Sequence, residues 1–110
     1  MTRAADQRVR DILRAIDRCV EYRDHLESGD HSAMAYDAIL RNLAVIGEAV
    51  RALPGKFKAD RPHTPWASIA GLRDIVIHEY FRVNPGLIRD IVDHDLTSLA
   101  ATLRSSATSE

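Results

Sequence analysis

The chain has 110 residues, with 15 Lys and Arg against 16 Asp and Glu, a formal charge of -1, and 45% hydrophobic and 28% charged residues. That balance fits one small globular domain and excludes a basic nucleic-acid arm or an acidic disordered tail, while leaving room for a local basic patch. A single cysteine, Cys19, excludes an internal disulfide and a cysteine-rich zinc site; no apolar run approaches the roughly 20 residues of a membrane span, and the opening MTRAADQRVR lacks the apolar core of a signal peptide, so a cytoplasmic location is expected.

Residues 1–28 contain no Gly or Pro, and Val9, Ile12, Leu13, Ile16, Cys19, Val20 and Leu26 recur at helical spacing. They predict an amphipathic helix over about 6–27, ended by Ser28-Gly29-Asp30, with Gly29 where a left-handed C-terminal residue is wanted. A second helix, capped by Asp30 or Ser32, is expected to run to Leu53 before Pro54-Gly55. Its apolar residues, from Met34 through Ile39, Leu43, Ile46 and Val50, cover more than one face, so it belongs at the centre of a bundle or between a bundle and a partner subunit. Gly47 costs such a helix about 1 kcal/mol against Ala and points to close approach of another helix.

Residues 54–64, PGKFKADRPHT, read as the one real loop, locally basic through Lys56, Lys58, Arg61 and His63. Thr64-Pro65 then reads as N-cap and first residue of a third helix carrying Trp66, Ile69, Leu72, Ile75, Val76 and Tyr80. Asn84-Pro85 repeats that signal for a fourth helix, which is expected to break near Asp93-His94-Asp95 and resume through Leu96, Leu99 and Leu103. Residues 105–110 are expected to fray. No segment alternates at period two for strand length, so the chain reads as a single all-α domain over 1–110 with its core at about 6–104: an antiparallel four- to five-helix bundle. A monomer this small buries only around 60–70% of its unfolded surface, so pairing with a second copy would help it.

Most signatures of chemistry are missing: there is no glycine-rich phosphate loop, G-x-S-x-G or C-x-x-C, and His78-Glu79 is not followed by the second His of a zinc helix. No metal or cofactor is expected. The third helix stands out because Gly71-Leu72-Arg73-Asp74-Ile75-Val76-Ile77-His78-Glu79-Tyr80 sets Arg, His and Tyr within eight residues. A histidine titrates near neutrality and can move protons to and from a ribose hydroxyl or a leaving 5′-oxygen. An arginine fork stabilises charge growing on phosphate oxygens. Together they suffice for RNA cleavage in which the RNA's own 2′-hydroxyl is the nucleophile. At 100° per residue Arg73 and Tyr80 share a face, whereas His78 lies about 140° from Arg73. Convergence of Arg73 and His78 thus requires a distorted helix or two copies meeting across a two-fold axis. Asp74, four residues before His78, is within reach to orient its imidazole.

Arg73-Asp74-x-x-x-His78-x-Tyr80 resembles the R-x4-H-x-Y signature of the HepT-like branch of the HEPN family. Arg41-Asn42-Leu43-x-x-Ile46-Gly47-Glu48-Ala49 is similar to that branch's second helix, and Pro65-Trp66-x-x-Ile69-x-Gly71-x-Arg73 with Phe81-x-Val83-Asn84 to its third; the likeness spans roughly 36–99. The resemblance implies a helical homodimer whose two R-x4-H sites face each other in a cleft. It also implies metal-independent endoribonuclease activity, the toxin of a toxin–antitoxin pair. The antitoxin would be an MNT-type nucleotidyltransferase that AMPylates the motif tyrosine, here Tyr80. On this reading His78 is the general acid/base, Arg73 binds and stabilises the phosphate, and Asp74 and Glu48 support them. Trp66 reads as a packing anchor, Cys19 as a small core residue, and Lys56, Lys58 and Arg61 as a loop able to steer RNA or merely solvated. The alternative is a non-catalytic HEPN dimer that binds nucleotides or serves as partner or subunit of the nucleotidyltransferase.

Overall fold

The computed structural model describes residues 3–27, 29–78 and 85–108, and every regular element among them is a helix. Two long helices, α1 (Arg3–Arg23) and α2 (Ser32–Ala52), are followed by the short α3 (Gly55–Ala59), α4 (Trp66–Ala70), α5 (Leu72–His78) and α6 (Pro85–Asp90). A π-helical turn (Ile91–Leu96) then leads into α7 (Thr97–Thr108).

The short connection after α1 folds α2 back against it, and this antiparallel pair makes the most extensive contact in the molecule. α2 also packs against α4 and α5, while α1 receives the π-helical turn and α7. The wide apolar arc of α2 thus has the central role its pattern requires: Ile39, Leu43, Ile46 and Val50 are buried among Ile12, Ile16, Leu96, Leu99 and Leu103. Each fully buried Ile or Leu contributes roughly 1.5–3 kcal/mol of transfer free energy. Asn42 is the buried polar residue in this seam, and its Nδ2 donates to the Ala38 carbonyl at 2.8 Å.

Several boundaries differ from expectation. α1 ends at Arg23 rather than near residue 27. The chain then turns through bonds from His25 N to Tyr22 O and Leu26 N to Arg23 O, which carry Leu26 into the core. Gly29 does adopt the left-handed conformation, at φ +87°, but in the turn beyond the helix rather than at its end. Neither Asp30 nor Ser32 caps α2; His31 holds the N-cap position and makes no capping bond through its side chain. The basic loop contains a helix, α3, because Phe57 must be buried. α4 begins at Trp66, with Pro65 at the N-cap position at φ -78°. Pro85 opens α6 as expected, and the Asp93-His94-Asp95 region is a π-helical turn instead of a break. There Thr97 Oγ1 donates to the Val92 carbonyl at 3.1 Å, and Arg23 reaches across to pair with Asp93. The expected frayed tail is helical as far as Thr108.

Candidate functional site

The site begins at Gly47. A Cβ on this residue would lie 2.8 Å from the Arg73 backbone nitrogen, 3.0 Å from the Ala70 carbonyl oxygen and 3.2 Å from the Arg73 Cβ. Only glycine lets α2 and the α4–α5 segment approach this closely, which is the contact its place inside an apolar helix predicted. The approach delivers Arg73 to the surface of α2. Its Nε lies 2.8 Å from Glu48 Oε2, with the guanidinium side chain 39% exposed and the carboxylate 60% exposed. Asp74 sits at 3.9 Å from Arg73 Nη1 and also meets Arg51 at 3.5 Å. Arg73 is therefore held at its Nε edge, and its Nη1 makes only the looser Asp74 contact.

Glu48, which the sequence ranked only as support, is the group that orients Arg73. Arg51 belongs to no motif in the sequence. Its signal was the helical spacing: Gly47, Glu48 and Arg51 fall within one turn of α2, on the side that meets α5.

The third helix is distorted, but at Gly71 and not between Arg73 and His78. Gly71 has φ -68° and ψ -12° and separates α4 from α5, and α5 then runs unbroken from Leu72 to His78. Along that backbone Arg73 and His78 remain about 140° apart. The His78 side chain, and Tyr80 altogether, lie outside the described residues, so the orientation of the imidazole by Asp74 is not on view.

A model of the HepT-like ribonuclease family matches residues 11–106. The chain belongs to that family. Over 90 residues it is 37% identical to a "gamma-glutamylcyclotransferase and putative RNase" of Methanocaldococcus jannaschii, covering 80% of this chain and 40% of that protein. A "putative RNase" of the same organism is 32% identical over 91 residues, covering 81% of this chain and 84% of the relative. A "probable ribonuclease HepT" of Thermococcus cleftensis is 40% identical over 62 residues, 56% of each chain. The chain thus spans about half the length of several curated relatives it matches. No solved structure matches it.

In this HepT-like chain the basic loop has structural duties. Lys58 Nζ donates to the Val50 and Arg51 carbonyls, closing the C-terminal end of α2. Arg61 donates to the Phe57 carbonyl at 2.9 Å and stacks its guanidinium 3.8 Å from the Phe57 ring centroid. Trp66 is the expected anchor: its Nε1 donates to the carbonyls of both Lys58 and Arg61, at 3.0 Å each. Of the four basic residues of the loop, Lys56 and His63 remain exposed. Cys19 is fully buried in the α1 core face, and burial pushes its thiol up to about 12.

Proposed function

We propose that this chain is a metal-independent endoribonuclease, the toxin of a HEPN/MNT toxin–antitoxin pair, acting as a homodimer. The observation that carries the reading is the placement of Arg73: fixed at one edge by Glu48 against the Gly47 seam, with its side chain 39% exposed, about one turn and a half before His78 on the same helix. Membership in the HepT-like ribonuclease family gives that arginine a phosphate to serve. An imidazole at His78 takes the proton from a ribose 2′-hydroxyl as its oxygen attacks phosphorus. The 5′-oxygen leaves with a proton returned by the acid form, and a 2′,3′-cyclic phosphate remains. Arg73 binds the non-bridging oxygens, where negative charge builds during the step.

The angular separation of Arg73 and His78 along α5 favours a site built from two copies, Arg73 of one protomer beside His78 of the other. The exposed Ile75 and Ile77 on α5 supply apolar surface for such a seam. AMPylation of Tyr80 by a cognate nucleotidyltransferase would add bulk and negative charge beside a phosphate site, repelling RNA.

The test is cleavage of RNA in EDTA by wild type, Arg73→Ala and His78→Ala. Cleavage by wild type alone is expected. Tight association with a nucleotidyltransferase and no cleavage by unmodified wild type would replace the nuclease by a non-catalytic binding partner. Intact mass after incubation with that transferase and ATP should rise by whole AMP units, and Tyr80→Phe should abolish the rise.

A further inference from the structure

A groove of about 800 Å³ runs between α1 and α2, on surface that the Arg73 site does not use. Arg14 and Arg18 of α1 and Arg41 of α2 line it, with Asp37, Tyr22 and the buried Asn42 among them. All three guanidiniums belong to exposed residues. Elsewhere on the described surface Arg23, Arg51, Arg73, Arg89 and Arg104 each meet a carboxylate within 4 Å. Arg14, Arg18 and Arg41, like Arg8 and Arg10 on the same helix as the first two, meet none among the described residues, but only these three line one groove, which two aspartates share. One of these, Asp11, instead accepts a bond from Gln7 Nε2 at 2.9 Å.

Three guanidiniums lining one groove from two helices, without a carboxylate partner, match the oxygens of phosphate groups. Val45 is the one large exposed aliphatic residue on the groove wall, too little apolar surface for a stable subunit contact there. The groove's position ties it to the site already described. Arg41, Val45 and Glu48 stand at i, i+4 and i+7 and so share one face of α2. Glu48 holds Arg73, and Arg41 lies about 10 Å further along the same helix at 1.5 Å per residue.

We propose that the α1–α2 groove is the strand-binding subsite for RNA, with Arg14, Arg18 and Arg41 taking backbone phosphates adjacent to the phosphate handled by Arg73. This rests on the ribonuclease reading above and assigns it a path for the rest of the substrate.

The experiment is fluorescence anisotropy with a labelled, uncleavable 2′-O-methyl RNA 20-mer across a salt series. The proteins are wild type, Arg14→Ala/Arg18→Ala, Arg41→Ala and the charge-keeping Arg14→Lys/Arg18→Lys. The double alanine variant should bind about tenfold or more weakly and lose about 1.4 from the slope of log K against log salt, at 0.7 per single-strand phosphate contact. The lysine pair should keep most of the slope, and thermal melting and light scattering should be unchanged for all variants. Equal affinity and slope for wild type and the alanine variants would overturn the proposal, as would failure of wild type to bind this RNA. Conversion of the alanine variants from dimer to monomer would overturn it too, by making the groove a seam between copies. Cleavage of unmodified RNA in EDTA, run beside it, separates the two readings. Groove-dependent binding without cleavage keeps the subsite and removes the nuclease; cleavage with groove-independent binding does the reverse.

Discussion

Glu48 and Arg73 form an ion pair between groups that are 60% and 39% exposed, so its value to stability is small, about 0–1 kcal/mol. Its value to a phosphate site is positional: without Glu48 the guanidinium is free to swing. Glu48→Ala is expected to lower RNA cleavage about tenfold, mainly in kcat, with the urea midpoint nearly unchanged; a large fall in stability instead would make Glu48 a structural residue. Gly47 behaves in the opposite way. Gly47→Ala gains about 1 kcal/mol of helix propensity, but its Cβ would stand 2.8 Å from backbone nitrogen of α5, which cannot rotate away. Overpacking of this kind costs about 1–3 kcal/mol, so the variant is expected to be less stable by urea denaturation and to displace Arg73. Cys19 makes a pH statement. Its folded-state value is raised from 9.0 to about 12, so the stability tied to the neutral thiol is whole below pH 9 and is lost as pH rises from 9 towards 12. Cys19→Ala should lose less stability than wild type across that window in matched urea titrations, and the native thiol should resist alkylation until the protein unfolds.

Among the elements, the α3–α4 region shows how a short basic stretch becomes ordered. Phe57 is buried, Arg61 covers its ring, and the Trp66 indole ties the Lys58 and Arg61 carbonyls to the start of α4. Trp66→Phe keeps a ring but removes the donor, leaving the Lys58 and Arg61 carbonyls with their backbone partners, the N–H groups of Arg61 and Thr64. A loss of about 0.5–1.5 kcal/mol in urea denaturation is expected, and an unchanged midpoint would mean that solvent replaces the indole without cost. The π-helical turn at Ile91–Leu96 lies far from the Arg73 site in sequence but seats Asp93 against Arg23. It lets Ile91, Val92 and Leu96 all face the core next to α1. One extra residue per turn rotates the following α7 so that Leu99 and Leu103 also face inward.

At the scale of the whole molecule, the separation of Arg73 from His78 along an unbroken α5 bears on how many copies the proposed cleavage site would need. If each site draws Arg73 from one protomer and His78 from its partner, Arg73→Ala and His78→Ala proteins should complement. After the two inactive proteins are mixed and exchanged, half of the dimers are mixed, and each carries one intact site. About a quarter of wild-type cleavage is expected to return. No recovery, with exchange verified by mass, would place both residues of a site in one chain.

The sequence by itself determined the helical class, the central place of the second helix, the close approach at Gly47, the anchoring role of Trp66 and the inert burial of Cys19. Each of these follows from spacing or residue size, which act locally and survive any detail of packing. The R-x4-H-x-Y pattern likewise located Arg73 and its family, because a motif of fixed spacing on one helix is a one-dimensional signal. Only the tertiary structure decided where α1 stops, since burying Leu26 overrides a continuous helical pattern. It also turned Lys58 and Arg61 from candidate steering charges into caps and covers, by bringing main-chain carbonyls and the Phe57 ring within their reach. The pairing of Glu48 with Arg73, residues on different helices, and the open arginines between α1 and α2 belong to the same class. They arise where two helices meet, and no spacing along a single chain segment encodes that meeting.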